Sequence, residues 1–355
     1  MLKNGKNIKN YNYHDLFNFT KKTLIKVGLS NDNAALLSKN LVEANLSGYD
    51  SHGLLRLDHY MTRFKNKTVK KNPDIKIKNI TETIMITDGD YGFGQIIGKV
   101  SMENTVKVAK KYGVGFCSVT KSNHFGRASF FNAIAVKNNM IGISMTHTDA
   151  NTVPYGGKKP FFGSNVIAFS CPSNLPYPIV IDMSLNKLSY GKIYEAEFAK
   201  KDLPKNSVLD RYGNYTTDPK KAEILLPAAE YKGYALSMMI EIFCSILIGI
   251  PFGNQIIDMY KQMEERRNLG HVFIAINIEQ FRPVDEFKSD IEKMCFNLQN
   301  IPRMSEDLKI QIPGEIEHST MLDRKKNGIP IPLALILQLT NIGKEFGINF
   351  PSSLK

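Results

Sequence analysis

The chain has 355 residues, 43% hydrophobic and 23% charged, with 46 basic against 34 acidic side chains for a formal net charge of +12. That composition is ordinary for a globular protein able to bury a sizeable core as one domain or as two to three lobes, and it excludes a long disordered or low-complexity tail. The positive excess invites a nucleic-acid reading, but the lysines are scattered among asparagines and isoleucines, which fits a solvated basic surface that draws anionic small molecules and no nucleic acid.

In chain order, Met1–Asn12 is rich in Lys and Asn without an apolar stretch, which argues against a secretory signal and for a cytoplasmic protein. Apolar spacing predicts an amphipathic helix over Tyr13–Val27, then one capped by Ser30 that packs through Leu37, Leu41, Ala44 and Leu46 and breaks at Gly48. Asp50 or Ser51 can cap a third helix running to about Phe64, with Leu55, Leu57, Tyr60 and Phe64 available for packing. His52 then lies in the first turn, where the helix dipole favours its neutral form, and shares a face with Arg56. Arg56 can grip a carboxylate in two parallel hydrogen bonds while His52 moves a proton on an adjacent oxygen. The pair points to an enzyme acting on a carboxylate-bearing substrate.

From Ile75 the pattern turns strand-like, including Ile84–Thr87, and a glycine-rich turn leads to a helix ending at Tyr112. Gly92, Gly94 and Gly98 give GxGxxxG rather than the dinucleotide fingerprint GxGxxG, so a glycine turn admitting a helix is the better reading. Strands over Gly115–Val119 and Met140–Thr146 flank the His124 loop and a helix from Ala128 to Asn138. Further strands cover Val166–Ser170 and Tyr177–Ile181, the second ending in Asp182, a carboxylate placed to order a histidine or bind cofactor groups. Lys232 opens a helix through Ile248, where an ammonium beside Gly233 can meet a phosphate or a substrate carbonyl. The apolar run Ala235–Pro251 is interrupted by Glu241 and too short to span a bilayer, so no membrane partner is expected. Cys117, Cys171, Cys244 and Cys295 form no CxxC pair, which predicts buried thiols and no metal site. His59, His147 and His271 have no supporting context.

Ser51-His52-Gly53, Asn123-His124-Phe125-Gly126, Pro154-Tyr155-Gly156-Gly157, Gly163-Ser164-Asn165, Asp182-Met183-Ser184, Gly191-Lys192, Thr216-Thr217-Asp218-Pro219, Tyr231-Lys232-Gly233-Tyr234 and Pro313-Gly314-Glu315 occur in this order. The set resembles the malate/L-lactate dehydrogenase-like family of nicotinamide-dependent oxidoreductases over nearly the whole chain. The resemblance implies a non-Rossmann α/β mixed-sheet fold of the L-sulfolactate dehydrogenase-like type with a helical N-terminal portion. It further implies homodimers with active sites near the subunit interface, and hydride transfer between NAD or NADP and a 2-oxo/2-hydroxy acid. On that basis residues 1–75 form the helical portion, 76–310 the core and 311–355 a segment packing back on the core.

Under the same resemblance His52 is the acid/base, His124 its orienter or alternate, Arg56 the carboxylate anchor, and Asp182 joins the catalytic set. Implied cofactor contacts are Thr148, Pro176, Ile181, Asp182, Met183, Ser184, Lys232, Gly233, Gly314 and Glu315; implied substrate contacts are Ser51, Arg56 and Lys232. The chain departs from the family at Leu185-Asn186, at Asn165-Val166 and in a shorter, glycine-poor stretch before Tyr231, which leaves coenzyme and substrate open. Arg127, where the family often has a smaller or apolar residue, either meets a second anionic group of a dicarboxylate or sulfonate or is a solvent-exposed helix-start residue. A cyclic imino acid reductase of the same fold and a non-catalytic binding protein are the alternatives.

Overall fold

The computed structural model describes residues 8–354. A short strand, β1 (Ile8–Tyr11), leads into α1 (Tyr13–Val27) and α2 (Asn31–Leu46), at the predicted places. Their first turns are capped by Asn12 and Ser30, whose side chains accept from the backbone N–H groups of His14 and Asn33.

The third helix differs from expectation. α3 covers only Leu57–Lys65, and Asp50–His52 and Leu54–Arg56 form two separate 3-10 turns joined at Gly53. The cause is Asn45, whose side-chain oxygen takes the Leu54 N–H at 2.8 Å and whose amide occupies the space a Cβ at Gly53 would need. Asp50 is drawn to Arg324 and Asn45 and caps nothing. His52 therefore does not stand at the positive end of an α-helix.

Then follow β2 (Lys76–Asn79), β3 (Ile84–Asp88), α4 (Gly94–Tyr112), β4 (Val114–Ser122), α5 (Ser129–Lys137), β5 (Met140–Thr146), β6 (Val166–Cys171), β7 (Ile179–Ser184) and α6 (Tyr190–Phe198). The rest comprises β8 (Val208–Leu209), β9 (Ile224–Leu225), α7 (Tyr231–Cys244), β10 (Leu269–Asn277), α8 (Val284–Gln299), α9 (Glu315–Asn327), β11 (Ile329–Pro332) and α10 (Leu333–Glu345). β7 thus carries Asp182 in its interior, where sequence placed it at a strand end, and α7 stops before a separate 3-10 turn, Ile246–Ile248.

Seven strands form the central sheet in the order β2-β3-β4-β10-β5-β6-β7, and within it only β3 and β4 run parallel. A dinucleotide-binding Rossmann sheet needs successive parallel strands with helix N-termini at one edge. This mixed α/β sheet has a single such crossover, β3–α4–β4, and β10 returns from far along the chain to separate β4 from β5. α4 and α5 bury Ile97, Phe131 and Ala135 on one face with Val119 and Phe273; α7 covers the other with Ile240 and Cys244 against Met145 and Val272. All four cysteines are buried and free.

The C-terminal residues return to the N-terminal helices. β11 pairs antiparallel with β1, and Leu339 and Ile342 of α10 join Leu16, Leu41 and Leu57 in one buried cluster. Before that, Pro313-Gly314 runs beside β7, where Val180 N–H donates to the Pro313 carbonyl at 3.1 Å.

α4 crosses β4 so closely that a Cβ at Gly115 would overlap the Thr105 carbonyl oxygen. Gly115→Ala should therefore destabilise the protein by about 1–3 kcal/mol, read as a lower urea midpoint at unchanged slope.

Candidate active site

Side chains from three parts of the chain fix the turn that carries His52. Asn45 Nδ2 donates to Asp50 Oδ1 at 2.6 Å, and Arg324 of α9 donates to both Asp50 oxygens at 2.7 and 2.9 Å. The same guanidinium donates to the Asn45 carbonyl, and Tyr49 Oη donates to Glu317 of α9 at 2.9 Å. Within the turn, Ser51 Oγ lies 3.0 Å from His52 Nδ1, which leaves Nε2 as the free ring nitrogen.

His124 follows β4 in a loop tied down by Asn123, whose amide donates to the Gly92 carbonyl at 2.9 Å. Its ring lies 5.7 Å from that of His52, the planes inclined by 22°. Tyr60 Oη is 2.8 Å from His124 Nδ1 and accepts from Gln95 Nε2 at 2.7 Å. Tyr60 joins Gln95 to the Nδ1 side of His124 and leaves Nε2 without a side-chain partner among the described residues. The structure thus brings together both predicted histidines and adds Tyr60 and Gln95, which sequence reasoning did not assign. Tyr60 had a signal, being four residues beyond Arg56 on α3; Gln95 had none.

Two cations flank the histidines. Arg56 is half-buried; its Nε donates to the Ser51 carbonyl at 2.6 Å and its Nη1 to Tyr260 Oη. Arg127 lies 5.1 Å over the Tyr49 ring and makes no ion pair or side-chain hydrogen bond among the described residues. Burial first, then Arg56 and Arg127, lowers the His52 pKa to about 3. His124 is likewise held well below the ordinary imidazole range by burial, then by Arg56 and His52. Desolvation and cations, not a helix dipole, keep both rings neutral. Asp182 lies on the Arg127 side: Oδ2 accepts from Ser129 N–H at 2.8 Å, capping α5, and burial raises its pKa against the opposing effect of that bond and of Arg127. Its hydrogen bond goes to the helix and not to either histidine.

Of the residues expected to hold the cofactor, Ile181 to Ser184 lie along β7 with Gly314 turning beside the strand, while Thr148, Lys232 and Gly233 come from other parts of the fold. Ile181 and Met183 are 36% and 47% exposed on β7 at the sheet edge, alternating with Asp182 and Ser184, and Pro176 precedes the strand. Gly314, at φ 101, turns against the Pro178 carbonyl, while the Glu315 carboxylate is already engaged by Ile312 N–H and Lys309. Thr148 Oγ1 accepts from Ser164 N–H at 2.9 Å. Lys232 is exposed at the start of α7 without an ion pair among the described residues, and Gly233 packs on the Ala228 carbonyl. An apolar strip suits a nicotinamide, and an unpaired ammonium at a helix N-terminus suits a phosphate. No group of three or more His, Cys, Asp or Glu side chains among the described residues could hold a metal ion.

The malate/L-lactate dehydrogenase family pattern matches residues 11–340. The chain belongs to this family. It is 37% identical to the L-sulfolactate dehydrogenase of Methanocaldococcus jannaschii over 92% of this chain and 94% of that one. It is 30% identical to the NAD(+) ureidoglycolate dehydrogenase of Escherichia coli K12 over 89% and 90% of the two chains. Among solved structures, the sulfolactate dehydrogenase of M. jannaschii superposes with TM-score 0.90 at 34% identity, covering 98% of this chain and all of that one. Malate dehydrogenase from Entamoeba histolytica gives 0.91 at 29%, covering 97% and 100%.

Within this family member, neutral buried histidines carry a stability cost in acid. His52, His59 and His271 are each lowered to about 3, and His124 well below 6.5. Below pH 6.5 the unfolded chain binds protons that the folded one refuses, so this stability is whole above about pH 7 and is lost as pH falls towards the folded values. Each ring contributes at most about 1.4 kcal/mol per pH unit. Thermal midpoints should accordingly drop between pH 7 and pH 5; a flat profile would contradict the burial of these rings. Arg324→Gln should lower kcat about tenfold or more by loosening the His52 turn, with the nicotinamide KM little changed.

Proposed function

We propose that this chain, an NAD(P)-dependent dehydrogenase of hydroxy acids by family, interconverts a 2-oxo and a 2-hydroxy acid that carries a second anionic group. The observation that supports this most directly is Arg127, half-buried over the Tyr49 ring, close enough to His52 to lower its pKa, and without an ion pair or side-chain hydrogen bond among the described residues. A guanidinium in that state is a site for an anion. The relatives named for malate and sulfolactate act on acids of this class.

In this reading Arg56 and Ser51 hold the substrate carboxylate and Arg127 the second anion. His52, through its free Nε2, gives or takes the proton at the C2 oxygen, and the nicotinamide supplies or receives the hydride when bound. A neutral imidazole suits removal of the alcohol proton, and a bound carboxylate raises its basicity for the return direction. His124 is a second reading for the proton donor, supported by Tyr60 and Gln95, which engage its Nδ1 and leave Nε2 free.

We also propose that a second copy of the chain covers α7. Leu236, Met238, Ile242, Ile246 and Leu247 are 40–56% exposed along one continuous stretch that begins beside Lys232. Tyr231–Ile248 passes by length and composition for a membrane span, against the sequence expectation that this run is too short, and a third of it is buried inside the protein. An exposed apolar face of this kind accords with the dimer that the family resemblance implies. The solution mass should be twice 40.0 kDa, and Ile242→Glu should release monomer.

The deciding experiment follows NADH and NADPH oxidation with oxaloacetate, sulfopyruvate, pyruvate and a cyclic 2-carboxy imine. Arg127→Gln should lower the preference for oxaloacetate or sulfopyruvate over pyruvate by about tenfold or more; an unchanged preference overturns the second-anion reading, and turnover confined to the imine overturns the reaction. His52→Gln should abolish turnover with NADH binding retained. If His124→Gln does so and His52→Gln does not, the proton belongs to His124.

A further inference from the structure

The segment between α7 and β10 folds over the site and is held there from below. Arg63 of α3, only 2% exposed, ends on four of its backbone carbonyls. Nη1 donates to Gln262 and Glu265 at 3.2 and 2.8 Å, and Nη2 to Asp258 and Met259 at 3.2 and 2.8 Å. The Asp258 carboxylate in turn accepts from the N–H groups of Tyr260 and Lys261 at 2.8 and 2.7 Å. A buried guanidinium whose two terminal nitrogens both end on one loop's carbonyls fixes that backbone. The side chain this frame presents at the site is Tyr260, whose ring stands edge-on to His59 at 5.4 Å and remains 59% exposed.

The Tyr260 hydroxyl changes what Arg56 can do. Arg56 Nε is committed to the Ser51 carbonyl, which closes the side of the guanidinium where Nε and Nη2 would together face a carboxylate. Nη1 donates to Tyr260 Oη. A carboxylate arriving at Arg56 thus meets Nη2 and, beside it, a phenol that already accepts from the cation and whose own hydrogen has no acceptor among the described residues. The two-pronged grip that sequence assigned to Arg56 is shared between two residues.

We infer that Tyr260 is a substrate-binding residue: its hydroxyl donates to one oxygen of the substrate carboxylate while Arg56 holds the other. This rests on the reading of Arg56 as carboxylate anchor and deepens it. An aromatic residue there for packing alone would not need its polar tip on the cation read as the carboxylate anchor.

Tyr260→Phe keeps the ring against His59 and leaves the Arg63 frame intact, removing only the hydroxyl. The KM for the 2-oxo acid should rise about tenfold, with a smaller fall in kcat and no change in the nicotinamide KM or the thermal midpoint. Oxamate, titrated calorimetrically into enzyme saturated with the reduced coenzyme, should lose affinity by the same factor. Arg56→Lys is measured in parallel. If it weakens the oxo acid and Tyr260→Phe leaves the KM within about twofold, a change too small for a lost charge-assisted bond, the Tyr260 assignment alone is overturned. If neither variant affects the oxo acid, the carboxylate reading of Arg56 falls with it.

Discussion

The fork of hydrogen bonds from Arg324 to Asp50 joins residues 274 positions apart, and the geometry of the site depends on it. The connection between α2 and α3 holds only two single 3-10 turns, broken at Gly53, and no sheet hydrogen bonds. Its shape comes from the side chains of Asn45, Asp50 and Tyr49, and two of these three reach α9 through Arg324 and Glu317. α9 is placed in turn by the return of β11 onto β1. The position of His52 therefore depends on the C-terminal residues closing the helical core. Loss of that closure would disorder the histidine before the sheet noticed, since β10 holds the sheet centre independently by pairing with β4 and β5.

That rigid turn carries an imidazole into an environment hostile to protons. Burial and two guanidinium groups favour the neutral ring at His52, and its neighbour His124 is under the same pressure. In the proposed reading these two cations take up the charge of the incoming anion. A carboxylate bound at Arg56 would remove part of what depresses the histidine, so that substrate entry and proton affinity would be coupled through a single Coulomb term, and such a coupling must be reciprocal. The depressed value belongs to the free protein; it does not bar the ring from carrying a proton once an anion is bound.

The helices were legible wherever their ends are local. Asn12 and Ser30 cap within three residues, so α1 and α2 stand where periodicity places them. The Asp50–Arg56 stretch was misread because its conformation is set by Asn45 before it and Arg324 far beyond it, neither visible in a window of one or two turns. The glycines Gly92, Gly94 and Gly98, read in sequence as a turn admitting a helix, sit at that turn and in the first turns of α4. A Cβ at Gly94 would overlap the Asn123 carbonyl and one at Gly98 would press on Phe131, so both serve close packing. His147 and His271 offered no context in sequence because their partners arrive from other elements, β10 and α7 for His147, β5 and β4 for His271. His147 Nε2 accepts from Gly270 N–H and its Nδ1 faces Glu241; His271 bridges Thr146 and Ser122.

The departures from the family pattern on the cofactor side have a common physical resolution. Without the usual glycines before α7, Ala229 and Glu230 occupy positive φ, at 48° and 56°, a conformation that costs side-chain-bearing residues about 1–2 kcal/mol each. Such strain persists only where surrounding structure over-determines it, and Glu241 supplies that determination about three turns further along α7. Its buried carboxylate accepts from Asn165 Nδ2 and Gly253 N–H, both at 2.8 Å, while Asn165 also donates to the Ser237 carbonyl. The helix is thereby clamped to the Gly163–Asn165 loop and to the segment that leads to Tyr260. The apolar run that sequence saw interrupted by Glu241 is interrupted because that carboxylate anchors the helix whose first residues present Lys232, while the chain leaving the same helix returns to present Tyr260.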